Sequence, residues 1–429
     1  MPTAERPLRV AYLMFRGNPH CGGQGVYTRH LTRELANLGH RVTVFSGQPY
    51  PVLDEGVELV EVPGLDLYRK DNPFRAPWPH EFRSYADVAE YAILCAAGYP
   101  EPYAFSIRAR DIVRERADEF DVIHDNQCLG TGILDLVDDG LPVLATLHHP
   151  ITVDRDVELA HEKNLWRRFM FRRWYGFLNM QMRVARRIPR LLTVSESSRR
   201  DIVAQMGVSD DQLHIVPVGM DPEVFVPRPD VQRVRGRIMT TASADIPMKG
   251  LTILLEALAK ARTERPDAHL VVIGKLKKKK SAVPAVLDRL NLGDAVQFVS
   301  GVETSEIVRL YGEAELAVVP SLYEGFSLPA VEAMACGVPL VATTGGALPE
   351  VVGTDHETGL LVEPGDPSAL AGALLEGLGD ATLRERIGEA GRARVTERFT
   401  WKATAQGTAE HYRRVAAGED RTGHGATGT

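Results

Sequence analysis

The feature that most restricts the fold of this chain is a repeated alternation of short apolar segments with amphipathic helical segments. Residues 8–15 leave almost no polar face, as in a strand buried on both sides, and lead into a glycine-rich turn. The next segment places its apolar residues near one helical face, is closed by Gly39, and is followed by a strand at residues 41–46. A strand, a helix and a second strand in this order form a βαβ unit with parallel strands. The sequence therefore predicts an α/β fold with doubly wound parallel sheets.

The alternation continues along the chain and indicates two domains. Further strands are predicted at residues 57–62, 122–124, 143–147, 191–194, 270–273, 296–299 and 316–320, and helices at residues 250–262 and 305–314. A chain of 429 residues suits two Rossmann-like domains, predicted at residues 1–217 and 218–398. With the carboxyl ends of their strands facing one another, they would form a deep central cleft. A last helix at about residues 399–415 could cross back to the first domain, and residues 416–429 are expected to be disordered.

Two aromatic stretches interrupt this pattern in the first half. Residues 66–103 are rich in Pro, Tyr, Phe and Trp, which fits a partly helical cover over the sheet or a wall that faces a substrate. In residues 166–190, which begin at Trp166 and end at Arg190, arginines alternate with aromatic residues. This pattern fits a helix that packs its apolar side on the domain, or a basic surface that contacts anionic lipid.

Composition excludes several classes of protein. A formal net charge of -7 argues against a nucleic-acid partner, whose phosphates require an excess of basic residues. The four cysteines, Cys21, Cys95, Cys128 and Cys336, lack metal-binding spacing and are expected to be reduced thiols. No stretch approaches the roughly 20 apolar residues that a membrane span needs, and the amino terminus has no apolar signal segment. We therefore expect a cytoplasmic protein, peripheral to a membrane only if residues 166–190 bind lipid.

The stretch from residue 320 to residue 350 carries the strongest chemical signal. A helix is predicted to begin at Ser327 or Leu328, with Pro329 in its first turn, and to end at Gly337. The main-chain N–H groups of Phe326, Ser327 and Leu328 would then point away from the helix N-terminus. Such groups bind a diphosphate or a sugar hydroxyl.

Two glutamates flank this helix start. Glu324 lies in the preceding loop and Glu332 inside the helix, eight positions later. If both face the cleft, one can hold sugar hydroxyls and the other ribose hydroxyls, because carboxylates accept hydrogen bonds from vicinal diols. Alternatively, Glu332 is a helix-surface residue and Glu324 a turn carboxylate.

These residues resemble a known family. Residues 324–329 (EGFSLP) and 332–339 (EAMACGVP), followed by Gly345-Gly346 and Pro349-Glu350, are similar to the E-x7-E region of the retaining family 4 glycosyltransferases, which have the GT-B fold. The resemblance extends with less detail over residues 8–412, through Gly22-Gly23, Thr146-Leu147-His148, Ser195-Glu196 and Lys249-Gly250. It implies that residues 1–217 form the acceptor side and residues 218–398 bind the nucleotide-sugar donor.

The resemblance also implies roles for single residues. Glu332 would bind the donor ribose, Glu324 with Gly325 would contact the transferred sugar, and Lys249 would neutralise the diphosphate. Phe326, Ser327 and Leu328 would meet the donor through main-chain N–H groups, and the base would lie against the backbone near Gly274. Gly22 and Gly23 would let the main chain approach the phosphates. His148 would sit beside the reacting sugar, although His149 could exchange roles with it and either histidine could pack in the core.

The reaction implied is transfer of a hexose from a UDP- or GDP-sugar to a small-molecule, lipid or glycan acceptor, with retention of configuration. A donor phosphate oxygen would take the acceptor proton, so neither a protein nucleophile nor a cofactor is required. The Asp-x-Asp pattern at Asp154 is a weak metal motif, and the resemblance implies a metal-independent enzyme. No dinucleotide or ATP glycine motif follows any predicted strand.

One departure keeps other functions open. Relatives carry a Gly-Arg pair where this chain has Ser243 and Ala244, so Lys249 lacks the arginine that usually assists it. Lys275 or Lys277 could supply the missing charge. The alternatives are a sugar-nucleotide epimerase or hydrolase on the same fold, or a non-catalytic nucleotide-sugar binder.

Overall fold

The computed structural model describes residues 6–17, 23–69, 71–242, 246–276 and 282–419. The chain divides into two compact units. The first comprises Met1–Val194, Ser198–Val216 and Thr404–Thr429, and the second comprises Ser195–Ser197 and Pro217–Ala403. Residues 420–429, most of the predicted disordered tail, lie outside the described residues.

The first unit is built on a seven-stranded sheet in which every pairing is parallel. Its strands are β1 (Arg9–Met14), β2 (Arg41–Ser46), β3 (Val57–Glu61), β4 (Val122–Asn126), β5 (Val143–Leu147), β6 (Leu191–Thr193) and β7 (Leu213–Ile215). The spatial order β3-β2-β1-β4-β5-β6-β7 changes direction at β1, which pairs with both β2 and β4.

Helices connect these strands. They are α1 (Gln24–Asn37), α2 (Tyr85–Cys95), α3 (Glu101–Glu115), α4 (Thr131–Asp138), α5 (Thr152–His161), α6 (Leu165–Trp174), α7 (Leu178–Ala185) and α8 (Glu196–Met206). The single helix expected across residues 166–190 is wrong, because a 3₁₀ turn at Tyr175–Phe177 separates α6 from α7. Gly176 stands in that turn, where its low helix propensity favours a break.

The second unit has a six-stranded sheet, again with parallel pairings only. Its strands are β8 (Arg237–Thr241), β9 (His269–Ile273), β10 (Val296–Val299), β11 (Leu316–Val319), β12 (Leu340–Thr343) and β13 (Leu360–Val362). Its helices are α9 (Leu251–Ala261), α10 (Val283–Leu290), α11 (Thr304–Glu313), α12 (Leu328–Ala335), α13 (Leu348–Val352), α14 (Pro367–Gly379) and α15 (Ala381–Arg398). The order β10-β9-β8-β11-β12-β13 changes direction at β8.

A last helix, α16 (Trp401–Ala416), begins in the second unit, and its residues from Thr404 onward belong to the first. Each unit has its own apolar core. Leu13, Ile123 and Ala145 are buried in the first, and Leu254, Leu258 and Val318 in the second. The strands contribute alternate residues to these cores, and residues between them, such as Val10 and Met239, are buried on the opposite face of the sheet. The α/β class and the two parallel sheets predicted from the sequence are confirmed.

Candidate active site

The two sheets place ligand-binding edges at defined points. In an open parallel sheet, ligands bind outside the carboxyl ends of the strands where the strand order changes direction. These points lie between β1 and β4 in the first unit and between β8 and β11 in the second. Gly23 follows β1, Lys249 follows β8 and Glu324 follows β11, while His148 follows β5 next to β4.

In the second unit, the lysine and the glutamate meet. Lys249 Nζ lies 2.8 Å from Glu324 Oε1 and 2.9 Å from Oε2, although 75 residues separate them. Ser321 Oγ donates to Glu324 Oε1 at 2.6 Å. The Glu324 side chain is 9% exposed and the Lys249 side chain 32% exposed. A buried carboxylate is thus paired with an ammonium group that a ligand can still reach.

Glycines fix the position of this pair. Gly250 has φ +64, and a Cβ there would lie 1.9 Å from Pro320 O, so only glycine lets the Lys249 turn approach the end of β11. Gly346 has φ +66, and a Cβ there would lie 2.2 Å from Glu324 O. The Ala347 N–H donates to that same carbonyl at 2.9 Å. The loop that carries Glu324 is therefore held against the end of β12.

The start of α12 supplies free hydrogen-bond donors. The helix begins at Leu328 with Pro329 in its first turn and ends before Gly337, which confirms the sequence prediction. Ser327, at the N-cap, has φ 94, a conformation that a non-glycine residue adopts only at a cost of about 1–3 kcal/mol. Within the described chain, the main-chain N–H groups of Phe326, Ser327 and Leu328 find no acceptor, and the buried Ser327 Oγ has no partner.

The side chain of Phe326 has a separate, structural role. Its ring packs edge to face on Phe399, with the centroids 5.4 Å apart, and the residue is 7% exposed. The ring of Phe326 is therefore not available to a ligand, whereas its N–H has no acceptor among the described residues.

Glu332, in the middle of α12, is not a solvated surface carboxylate. Burial raises the pKa of its carboxyl group to about 7. No described residue donates a hydrogen bond to its carboxylate, so burial is not compensated by a protein partner. A partly buried carboxyl group without a described donor, on the helix that begins with the free N–H groups, suits hydrogen bonding to the hydroxyls of a ligand.

Other predicted donor residues are less informative. Gly274 follows β9, and its N–H donates to Val299 O at 2.8 Å. Lys275 is exposed. The described residues do not include Lys277, Ser243 or Ala244. The prediction that a lysine replaces the missing arginine therefore stays a prediction.

In the first unit, His148 is held on three sides. Its Nε2 lies 2.8 Å from Asn126 Oδ1, and its main-chain N–H donates to Gln127 Oε1 at 2.8 Å. Gln127 Nε2 donates to His149 O at 2.9 Å, so one amide side chain holds both histidine positions. The Tyr27 ring stands edge to face on the His148 ring at 4.5 Å.

His148 is neutral at physiological pH. Burial, assisted by the neighbouring His149, lowers the pKa of His148 to about 3. With the Asn126 Nδ2 group donating to Thr28 Oγ1 at 3.2 Å, the Asn126 oxygen faces His148 and accepts from its Nε2–H. Nδ1 then carries a lone pair that can accept a hydrogen bond. His148 can thus position a hydroxyl group, but it is too weak a base to hold that proton.

A second buried histidine connects this region to α16. His124 Nδ1 lies 2.6 Å from Tyr412 Oη, and His124 Nε2 lies 2.7 Å from Thr146 Oγ1. Burial lowers the pKa of His124 to about 3, so this histidine is also neutral. Thr146 lies on β5 only two residues before His148, and the chain of hydrogen bonds therefore runs from α16 to the strand that carries His148.

Asn126, Gln127 and His124 were not predicted from the sequence. The signal was the polar run His124-Asp125-Asn126-Gln127, in which all four residues are buried at the carboxyl end of β4. Gln127 also has φ +56, which is uncommon for a non-glycine residue. A run of buried polar residues at a strand end marks a site, because each group needs a partner.

Gly23 is the N-cap of α1, with φ 30, and a Cβ there would meet nothing within 4 Å. Among the described residues, no atom therefore crowds this position. Gly22 lies outside the described residues.

Metal-binding clusters and membrane-spanning helices are both absent from the described residues. Among these residues, no group of three or more His, Cys, Asp or Glu side chains is placed to hold a metal ion. Within the same ranges, no helix combines the length and the apolar character needed to cross a bilayer. On α6, Trp166 is 68% exposed and Phe169 is 50% exposed, so part of this aromatic surface is unpacked.

Two family profiles match consecutive parts of the chain. Residues 21–224 match Glycosyltransferase Family 4, and residues 230–394 match Glycosyl transferases group 1. The chain is 50% identical over 411 residues to the MMP alpha-(1->4)-mannosyltransferase of Mycolicibacterium hassiacum, covering 96% of this chain and 99% of that protein. It is 29% identical over 444 residues to a D-inositol 3-phosphate glycosyltransferase of Kribbella flavida, covering 96% of this chain and 97% of that protein.

Solved structures show the same fold. Sucrose-phosphate synthase from Thermosynechococcus elongatus aligns with a TM-score of 0.71 at 23% identity, covering 96% of this chain and 100% of that one. Anabaena HepE in complex with UDP and glucose aligns with a TM-score of 0.69 at 19% identity, covering 94% of this chain and 98% of that one. The fold is that of the GT-B glycosyltransferases. Together with the family profiles and the relative of 50% identity, it shows that this chain belongs to the family 4 glycosyltransferases.

Proposed function

We propose that this glycosyltransferase transfers mannose from a nucleoside diphosphate mannose to the 4-hydroxyl of a mannoside acceptor, with retention of configuration and without a metal ion. The observation that carries the proposal is the 50% identity, over 96% of the chain, to an alpha-(1->4)-mannosyltransferase. The residues of the second unit that follow β8 and β11 are suited to a sugar diphosphate.

On the donor side, Lys249 is the residue that binds the diphosphate. In the free protein its ammonium group is held 2.8 Å from Glu324. When a diphosphate takes up that ammonium group, the Glu324 carboxylate is released to accept hydrogen bonds from the hydroxyls of the mannose. The same lysine then stabilises the charge that grows on the leaving phosphate oxygen in the transition state.

The start of α12 completes the donor site. The N–H groups of Phe326, Ser327 and Leu328 have no protein acceptor within the described residues, and their partial positive charge suits donor oxygens. Glu332, partway along that helix, is assigned to the ribose hydroxyls. Partial burial raises the pKa of its carboxyl group, and two hydroxyl donors would stabilise the charged form.

Retention of the anomeric configuration follows from the bonds that are formed and broken at C1. The acceptor 4-hydroxyl attacks C1 on the face from which the diphosphate leaves, and the electron pair of the broken bond stays on the phosphate oxygen. That oxygen takes the acceptor proton, so no protein base is needed. A neutral His148 fits this scheme, because its role is to hold a hydroxyl rather than to remove its proton.

A thermal-shift panel with GDP, UDP, GDP-mannose and UDP-glucose, each in the presence of EDTA, tests the donor. A ligand at 100 times its Kd stabilises the fold by about 2.7 kcal/mol. We expect GDP-mannose to raise the Tm most. A larger shift with UDP-glucose would contradict the mannosyl donor, and a shift that needs added Mg²⁺ or Mn²⁺ would contradict metal independence.

A further inference from the structure

The first unit contains a cavity that the donor site does not use. It measures about 670 Å³, which lies within the range of about 300–1,000 Å³ typical of ligand sites. Its walls come from α2, with Tyr91 and Leu94, and from α6, with Met170, Phe171 and Trp174. We call it the aromatic pocket. Of the described residues that line it, Glu158 alone is charged.

The aromatic pocket is connected to the sheet edge that carries the site. Phe15 directly follows β1, and its ring lies 6.5 Å from that of Tyr99. Tyr99 in turn lies 5.2 Å from Trp174, which lines the pocket. Glu158 belongs to α5, the helix that follows the turn after His148. The pocket walls therefore extend from the carboxyl ends of β1 and β5, the edge at which parallel sheets bind ligands.

The walls are fixed before any ligand binds. Arg173 on α6 donates to Ala96 O, just after α2, through Nε at 3.1 Å and Nη2 at 2.9 Å. Arg168 Nη1 donates to Glu162 O at 3.1 Å, which ties α6 to the end of α5. Ala97, in the pocket lining, has φ 59, a strained conformation that tends to mark functional sites. Little ordering is then needed on binding, which favours affinity.

The lining determines the chemistry of the occupant. A bare sugar ring carries a hydroxyl on most of its carbons, and burying those groups without partners costs free energy. The pocket offers Glu158 and the hydroxyls of Tyr91 and Tyr175, and its other described lining residues are apolar or aromatic. A bilayer takes up protruding side chains and does not fill a concave pocket of this size. The occupant that fits is an apolar group attached to a polar molecule.

We propose that the aromatic pocket binds an apolar substituent of the acceptor, such as an alkyl aglycone, while the sugar of the same acceptor lies at the sheet edge near His148. This inference rests on the proposed function, because it assigns the pocket to the acceptor of that reaction. It makes the enzyme selective for mannosides that carry an apolar group.

The experiment compares hexyl α-mannoside with methyl α-mannoside as acceptors, using GDP-mannose as donor. Burying most of the additional methylene groups should raise kcat/KM for the hexyl compound about 10- to 100-fold. Trp174→Ala enlarges the pocket and Leu94→Trp fills it, and each should bring the two acceptors to within about threefold. The KM for the donor and the rate with methyl mannoside should stay near the wild-type values.

Trp166→Ala is the matched control, because Trp166 is on the same helix but is 68% exposed and does not line the pocket. It should keep the wild-type preference. Equal kcat/KM for both acceptors in the wild type, or an unchanged preference in both pocket variants, would overturn the proposal. The proposal would also be overturned if Trp166→Ala lost the preference for the hexyl compound to the same extent and anionic vesicles activated the enzyme. Scattering that shows a second copy of the chain closing the pocket would overturn it as well.

The two proposals can fail separately. If methyl mannoside is mannosylated and the hexyl group brings no advantage, the pocket assignment fails and the proposed function stands. If neither mannoside is a substrate, the proposed function fails. Calorimetric titration of hexyl mannoside into the wild type and Leu94→Trp then decides the pocket, and absence of binding to the wild type overturns it.

Discussion

The candidate ligand-binding groups of the first unit and those of the second unit differ in charge. In the first unit, His148, Asn126 and Gln127 are neutral and are bound to one another through hydrogen bonds. In the second unit, Lys249 and Glu324 are charged, and the N–H groups at the start of α12 have no protein acceptor within the described residues. Neutral, fixed groups suit the orientation of a hydroxyl, whereas exchangeable charges suit a diphosphate that gains negative charge during the reaction. Under the proposed function, the first unit would position the acceptor and the second would drive departure of the leaving group.

Of the substitutions that test this comparison, Lys249→Ala should have the largest effect on catalysis. Loss of the ammonium group that pairs with Glu324 should lower kcat/KM by about 10³-fold or more, because the charge on the leaving diphosphate is no longer stabilised. Steady-state kinetics with GDP-mannose measures this. Lys260→Ala, on α9 of the same unit, removes an exposed lysine that binds Ser368 and should change the rate by less than about twofold. A comparable loss in both variants would contradict the assignment.

Glu332→Gln should have the next largest effect. It should raise the KM for the donor about 10- to 100-fold, since a hydrogen bond to a charged group contributes about 1.5–3 kcal/mol. Glu389→Gln, an exposed acid on α15, is the control and should bind the donor normally. An unchanged donor KM in Glu332→Gln would show that this carboxyl group does not contact the ribose.

The same variant has a stability signature with a definite sign. Because burial raises the pKa of Glu332 to about 7 in the folded state, the folded wild type binds an extra proton between the unfolded pKa of about 4.3 and pH 7. Its stability therefore falls as pH rises through 7, while that of Glu332→Gln does not. As the pH rises from 5 to 8, we expect the free energy of unfolding of the variant, measured in urea, to increase by about 1–3 kcal/mol relative to that of the wild type. Burial also raises the pKa of Asp125 to about 7. This residue titrates in both proteins, so its contribution cancels in the difference between them.

His148→Phe keeps the ring contact with Tyr27 and removes only the hydrogen bonds of the imidazole. We expect a fall of about 10-fold in kcat/KM, with the donor KM unchanged. Since the pKa of His148 is lowered to about 3, the wild-type rate should show no ionisation of this residue between pH 6 and pH 8. His149→Phe is the control, and a larger loss there would show that His149 is the histidine that acts.

Tyr412→Phe should have the smallest effect on catalysis. It leaves the buried Nδ1 of His124 without a partner, which should lower the free energy of unfolding by about 1–3 kcal/mol. The rate should change by less than about threefold, because the hydrogen bonds of His148 remain. Tyr85→Phe, at a side chain that is 72% exposed, should alter neither. A large loss of activity without loss of stability would show that α16 acts directly on the site.

The sequence predicts the parts of this molecule that depend on local patterns. Strands such as β2, β5 and β10 match the predicted ranges, because an apolar run bounded by turns needs little context. The helix α15 was not predicted, because it contains many charged residues and only a few apolar positions, such as Leu383, Ile387 and Val395, are buried. The pairing of Lys249 with Glu324 depends on β8 and β11 being neighbours in the sheet, which no local pattern specifies.

The hydrogen bonds of the first unit were harder still to predict. Asn126 and Gln127 contact His148 across 22 and 21 positions, and Tyr412 contacts His124 across 288 positions. Such contacts require the whole sheet and α16 to be in place. The resemblance to a family supplied His148, but its neutral state comes from burial and neighbours that only the structure provides.

The most direct test of the central claim is the structure of the product. The enzyme, GDP-mannose and an α-mannoside acceptor are incubated with EDTA, and the new linkage is determined by NMR from its C1–H1 coupling and its correlations. The account predicts one product with an α-(1→4) bond, at a rate that EDTA does not change. A β-linked product, transfer that requires added metal, or release of mannose without transfer would contradict it.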